Sequence, residues 1–350
     1  MKERRYDLDW IRIFALGLLI VYHAVITFQP WGGRILFITN KEPLESWWFL
    51  MAAFNVWRIP ILFLVAGLAY KYSLKYRNWK KVLKERNIRL GIPLLISFFL
   101  LHPAYLLLSQ KFYDISYAYW PNLGPLWFVA FILIYCYITL PGFLYLNTRL
   151  ESKLFKSLVN LFQLPYGILL VIIPVITESV LVKFNYYHAY AMSWHGFWLG
   201  LCWFIVGFIF ACAKDYFWSA VERVRYFSLI LAGVFFSVRL LVFSLESPNL
   251  VIAIESINWV LAVIGFCSKH LNRPSRLLRY LSEAVFPVYI LSLPLQIVFS
   301  YFLVSFALSA VVKLFLLVIL TTGVGLLTYE LIIRRIKIIR PLFGLSLKES

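Results

Sequence analysis

The sequence predicts an all-α polytopic membrane protein, with about ten transmembrane helices and both termini in the cytoplasm. Three observations carry that fold class. Of 350 residues, 62% are hydrophobic and 14% charged, with a mean hydropathy of +0.80. A soluble domain is roughly half apolar and a quarter charged, so this composition does not fold around one aqueous core. Apolar runs of about 20 residues, the length a spanning helix needs, fill most of the chain. Lysine and arginine gather in every second connection while tyrosine and tryptophan gather in the others, which sets an inside and an outside. The short alternating segments of a membrane β-barrel are absent.

In order, the start MKERRYD is basic and cytoplasmic. The first segment, residues 10–28, lacks a small-residue cleavage site and reads as a retained helix. Pro30, Gly32 and Gly33 punctuate the outer turn. The second, 47–70, contains Asn55, Arg58 and Pro60. Residues 71–89, KYSLKYRNWKKVLKERNIR, are the most basic stretch and fix the inner side; they suit a short helix at the interface. The third segment, 90–108, leads to an outer loop with Tyr113, Tyr117, Tyr119 and Trp120. The fourth is 124–146, followed by Arg149, Lys153 and Lys156 inside. The fifth is 161–182, and its outer loop carries Tyr186, Tyr187, His188, Trp194 and His195. The sixth, 196–213, returns to Lys214, Arg223 and Arg225. The seventh, 227–243, and eighth, 250–268, flank the outer turn ESPN. The ninth, 283–303, and tenth, 309–333, close the set before a basic tail. No linker separates domains, so residues 1–350 are expected to form one membrane-embedded domain.

The formal net charge is +18. Sitting in short inner loops, it implies topology and contact with anionic membrane lipids rather than nucleic acid. Cys136, Cys202, Cys212 and Cys267 lie in apolar segments without metal-ligand spacing and read as small hydrophobes. No metal and no bound cofactor are expected.

Polar groups inside hydrocarbon are expensive, and each is a functional candidate. Arg12 and His23 are eleven positions apart in the first segment. At roughly 100° per residue, eleven steps return to nearly the same helix face about 16 Å further along. Counted from the inner end of each segment, His23, Arg58, His102, Arg239 and Glu255 all lie about twelve residues up, roughly 18 Å from the inner surface. They suggest a polar chamber. Two plainer readings stand beside it: Arg239 and Glu255 pair with each other, and His102, beside Pro103, is a packing histidine. Arg58 stays charged when buried and must be matched. At the inner surface Arg12, Arg86 and Arg89 open two segments, which suits a phosphate-rich ligand, the plainer reading being positive-inside charge alone; Lys80, Lys81 and Lys84 read as inner-face charge. The outer-loop aromatics Tyr117, Trp120, Tyr187 and Trp194 suit sugar rings or an interfacial belt.

Six stretches carry a resemblance: LDWIRIFALGLLIVYH (8–23), FNVWRIPILFLVAG (54–67), ERNIRLGIP (85–93), GPLWFV (124–129), EAVFPVYILSLP (283–294) and RPLFGL (340–345). In this order they resemble the acyltransferase-3 family of integral-membrane acyltransferases, closest to its glucan biosynthesis protein C branch. Two positions depart from that branch: Ser292 stands where a histidine follows Tyr-Ile-Leu, and Pro125 stands before Leu126 and Trp127. The resemblance implies transfer of an acyl group from a cytoplasmic acyl-CoA donor to a hydroxyl of a carbohydrate or other envelope acceptor. It also implies an inner-membrane location. A hydroxyl needs a base near neutral pH, for which histidine is suited, and His23 is the candidate. Arg12 would hold the donor or order its helix. Arg86 and Arg89 would bind donor phosphates. Arg58, with Arg239 and Glu255, would serve the oxyanion or acceptor, and Trp127 would wall the acceptor pocket. The rival reading is a transporter or flippase for a lipid-linked or acidic solute, since intramembrane Arg, Glu and His also mark carriers; no interrupted segments occur in corresponding halves to support it.

Overall fold

The computed structural model describes residues 4–164, 166–182, 187 and 189–347. Among them are fourteen α-helices and no strand. They are α1 (Tyr6–Ile26), α2 (Trp48–Tyr76), α3 (Trp79–Arg86), α4 (Ile92–Ile96), α5 (His102–Phe112), α6 (Trp127–Ile138), α7 (Leu140–Thr148), α8 (Lys153–Leu161), α9 (Ile173–Leu181), α10 (Trp194–Ala213), α11 (Asp215–Leu241), α12 (Asn249–Leu271), α13 (Arg276–Leu303) and α14 (Ala310–Thr328).

Among the described residues eight stretches are long and apolar enough to cross a membrane: Tyr6–Ile26, Glu45–Tyr76, Trp79–Phe112, Trp194–Ala213, Asp215–Leu241, Asn249–Leu271, Arg276–Leu303 and Ala310–Ile333. The chain is an all-α integral membrane protein. The expected fourth segment is broken, its halves Gly124–Ile138 and Leu140–Thr148 bent by 51°. Pro141 explains the break, having no N–H for the preceding turn. Thr139 adds to it by donating its hydroxyl to Tyr135 O at 2.6 Å, a back-bond that bends helices. The expected fifth segment is the shorter Gly167–Leu181, which starts as a tight 3-10 turn before Pro174. Arg223 and Arg225 are on a helix, not in an inner loop: Lys214 turns the chain with φ 51° and α11 starts at once. The basic stretch 71–89 is likewise no separate surface helix, because α3 runs on into the third span.

That third span holds two wide π-helical turns, Asn87–Gly91 and Ser97–Leu101. Each stands just before a proline, Pro93 or Pro103. A proline cannot donate to the carbonyl four residues back, and its ring crowds that carbonyl. Widening the turn relieves the crowding, and the N–H of Ile92 and of His102 reaches back five residues instead. The orphaned carbonyls gain partners from elsewhere in the fold. Phe99 O, four before Pro103, accepts the Tyr119 hydroxyl at 2.9 Å. Val56 O, four before Pro60 in α2, accepts Ser256 Oγ at 2.6 Å and the Tyr190 hydroxyl at 3.4 Å.

The contacts divide the chain into two compact units. The first comprises residues 1–15, 52–83 and 131–278; the second comprises 16–51, 84–130 and 279–350. In the first, α11 and α12 pack along each other, and buried aromatics including Tyr70, Tyr135, Trp203 and Phe204 fill the core. In the second, one cluster joins Ile26, Phe37, Ile38, Tyr105, Leu106, Leu293 and Ile297. Another joins Ile20, Ala284, Val288, Tyr329, Ile333 and Leu345.

Candidate active site

The second unit contains His23. It lies in the last turn of α1, which ends at Ile26, two residues short of the expected segment. His23 is partly buried, and Phe37 of the following loop packs beside it. Thr27, Phe28, Gln29, Phe37 and Ile38 are all buried, and the Phe37 ring centroid is 5.9 Å from that of His23. Tyr113 holds this loop down. Its hydroxyl donates to Phe37 O at 2.6 Å and accepts from Thr39 N at 3.2 Å. Lys313, buried at the start of α14, donates to Asn40 Oδ1 and to Val304 O, both at 3.0 Å. Two bonds to α13 fix α1 on either side of His23: Gln296 Nε2 donates to Ile20 O at 2.7 Å, and Thr27 Oγ1 lies 3.3 Å from Ser300 Oγ.

Arg86 ends α3, and Arg89 lies in the first wide turn of the third span. Arg89 is exposed, and its Nε donates to Gly344 O at 3.2 Å. His102 follows the second wide turn and is buried, its Nδ1 3.1 Å from the Tyr105 hydroxyl. Gly124 (φ 47°) presses on it: a Cβ there would stand 2.4 Å from His102 Nδ1. The next residue, Pro125, offers its carbonyl to the Tyr289 hydroxyl. This anchored turn opens α6, where Trp127 is nearly buried and Phe128 packs edge-on against Tyr289 at 5.6 Å. Ser292 is buried and donates to Tyr289 O at 2.8 Å.

The first unit contains the other candidates. Arg12 is partly exposed and 3.4 Å from Asp9, which Arg4 also binds at 2.8 Å. Arg58 is buried, with Nη2 3.1 Å from Asn55 Oδ1. Arg239 binds Glu255 through both carboxylate oxygens, at 2.6 and 2.9 Å, and donates to Ala52 O at 3.0 Å.

A family model described as an acyltransferase domain matches residues 5–330. The chain belongs to the acyltransferase-3 family. No curated protein and no solved structure matches it. For this family member, the second unit groups His23, Arg86, Arg89, His102 and Trp127, and the first groups Arg12, Arg58, Arg239 and Glu255. His102 is occupied by Tyr105 and the Gly124 turn, which agrees with the packing reading. Arg239 and Glu255 do pair with each other.

Sequence reasoning missed one buried pair. His195 stands in the first turn of α10, not in the outer loop, with Nδ1 2.8 Å from Glu178 Oε1 and Nε2 3.0 Å from Tyr187 O. A carbonyl only accepts, so Nε2 carries a proton. Tyr187 is buried as well, and not an exposed sugar platform; burial pushes its phenol above the usual range, with Glu178 adding to the shift. Tyr117, Trp120 and Trp194 are exposed as expected. Tyr186 and His188 lie outside the described residues. Among the described residues no cluster of His, Cys, Asp and Glu could hold a metal.

Proposed function

We propose that this acyltransferase-3 protein moves an acyl group from a cytoplasmic acyl-CoA-type donor to a hydroxyl of a carbohydrate or other envelope acceptor. It would do so in the inner membrane of a bacterium, with both termini cytoplasmic, and as a member of the glucan biosynthesis protein C branch. The observation that supports this most directly is that Arg12 and His23 lie on one unbroken helix, α1, inside the span matched by the family. His23 takes the proton of the acceptor hydroxyl as that oxygen attacks the thioester carbonyl. The new C–O bond forms, the C–S bond breaks, and the proton passes to the departing thiolate. Arg86 and Arg89 bind donor phosphates through charge-assisted hydrogen bonds, and Trp127 walls the acceptor. Arg58, a buried cation beside Asn55, takes an anionic group, either the oxyanion or a carboxylate on the acyl chain. Arg12 orders the start of α1 through Asp9. Arg239 and Glu255, held by each other, shape the acceptor side.

The test is mass spectrometry of envelope glycans from cells with the wild-type chain, without it, and with His23→Ala. One acyl mass is expected to vanish in both altered strains. Its loss in the deletion alone would keep the transferase but remove His23 from the chemistry. No change in either would overturn the reading.

A further inference from the structure

We infer that the C-terminal segment, residues 340–346, is a working part of the donor site: it sets the direction in which Arg89 presents its guanidinium. The inference rests on the reading of Arg89 as a ligand for donor phosphate.

The contact is built from both sides. Arg89 Nε, the guanidinium nitrogen nearest the stem, donates to Gly344 O at 3.2 Å. Fixing Nε fixes the plane of the whole fork. The backbone of Arg89 meets the same glycine. Pro93 has no N–H for Arg89 O, and the turn there has widened. Gly344 sits directly against that carbonyl. A Cβ on Gly344 would lie 2.7 Å from Arg89 O and 2.5 Å from the Phe286 ring. Its φ of 75° is also one that L side chains rarely adopt. So glycine alone fits both the space and the conformation.

The segment carrying Gly344 is itself clamped. Arg340 is buried and donates Nε to Ser346 O at 2.8 Å, while its Nη2 lies 3.4 Å from Glu283 Oε1. Its own carbonyl accepts Leu345 N at 3.0 Å. Leu345 is buried with Ile20 of α1 and with Ala284 and Val288 of α13. A tail that only covered the inner surface would need none of this. Here a long cationic side chain on an exposed turn is given one direction before any ligand arrives, which lowers the ordering cost of binding.

Coenzyme A itself is the probe, because its phosphates are common to all such donors and no acceptor is needed. Its dissociation constant is measured by calorimetry on the full-length protein in detergent for wild type, Arg89→Gln, Gly344→Ala, the double variant, and Leu347→Ala as an exposed control beyond the clamp. Arg89→Gln should weaken binding about tenfold and Gly344→Ala about fivefold, with the double variant no weaker than Arg89→Gln, since residues acting through one contact are not additive. Leu347→Ala should bind as wild type. If Gly344→Ala does not fold, Glu283→Gln, which loosens the Arg340 clamp, takes its place in the same cycle. Unchanged binding by the tail variant, or additive losses in the double, would overturn the inference while leaving Arg89 in the donor site. Wild-type binding by Arg89→Gln would remove Arg89 from that site, and the inference with it.

Discussion

At the scale of single residues, Arg239 and Glu255 show what burial does to charge. Both are almost fully enclosed, and the guanidinium meets both carboxylate oxygens. Removing one member of such a pair leaves an uncompensated buried charge, at a cost of about 3–5 kcal/mol, whereas replacing both by apolar groups is often tolerated. Arg239→Leu and Glu255→Leu should therefore each lower the thermal unfolding midpoint of the purified protein clearly, followed by tryptophan fluorescence. The double variant should recover much of the loss. A double variant worse than either single would mean that the pair also serves another group. This pair was legible in the sequence because two opposite charges in apolar segments at similar depth have few other outcomes. The pair of Glu178 and His195 was not. Its members are 17 residues apart, and the histidine follows so many loop-like residues that it reads as solvent-facing. Only the fold carries it into the interior beside α9.

At the scale of elements, hydropathy made the strong spans legible and proline blurred the rest. A run of apolar residues predicts a helix but says nothing of a wide turn or a 51° bend within it. The prolines behind those features were visible; which group would satisfy each orphaned carbonyl was not, because the partners come from distant segments. Val56 O is the clearest case. Pro60 denies it the helical N–H, and Ser256 supplies a hydroxyl from α12. A buried acceptor left unsatisfied costs about 1–3 kcal/mol. Ser256→Ala leaves Val56 O only the 3.4 Å bond from the Tyr190 hydroxyl and should destabilise the protein by up to about that amount. In a Pro60→Ala background the helix recovers its own N–H for Val56 O, so the same Ser256→Ala change should cost markedly less. Chemical denaturation of the four proteins measures the difference. Equal costs in both backgrounds would show that Ser256 is held for some other reason. Likewise, the stretches 85–93 and 340–345 were each visible as motifs, but the contact that joins Arg89 to Gly344 was not.

At the scale of the whole molecule, the number of crossings decides the chemistry available to each loop. Among the described residues eight spans qualify on their own, the bent pair Gly124–Ile138 with Leu140–Thr148 makes a ninth if it crosses, and Gly167–Leu181 is a shorter apolar helix. With both crossing there are ten, with one there are nine and with neither there are eight; the two ends of the chain stay on one side with ten or eight and on opposite sides with nine. Tags on the termini therefore detect nine crossings but cannot separate ten from eight. The connection between α7 and α8 can. With the N-terminus inside, as proposed, it faces the cytoplasm if the bent pair crosses and stays outside with the Tyr117 loop if it does not. It carries Arg149, Lys153 and Lys156, and positive charge in a short loop favours the inside. Polar backbone at the break need not bar a crossing, since irregular turns are tolerated at membrane depth where protein surrounds them. Ser152, the N-cap of α8, is the place to look. In a chain with its four cysteines changed to alanine, Ser152→Cys should resist a membrane-impermeant thiol reagent added to intact cells and react once the membrane is opened. A cysteine at Tyr117 should react from outside in both cases. Labelling of Ser152→Cys in intact cells would take the bent pair out of the count and place the basic α7–α8 connection on the outer face.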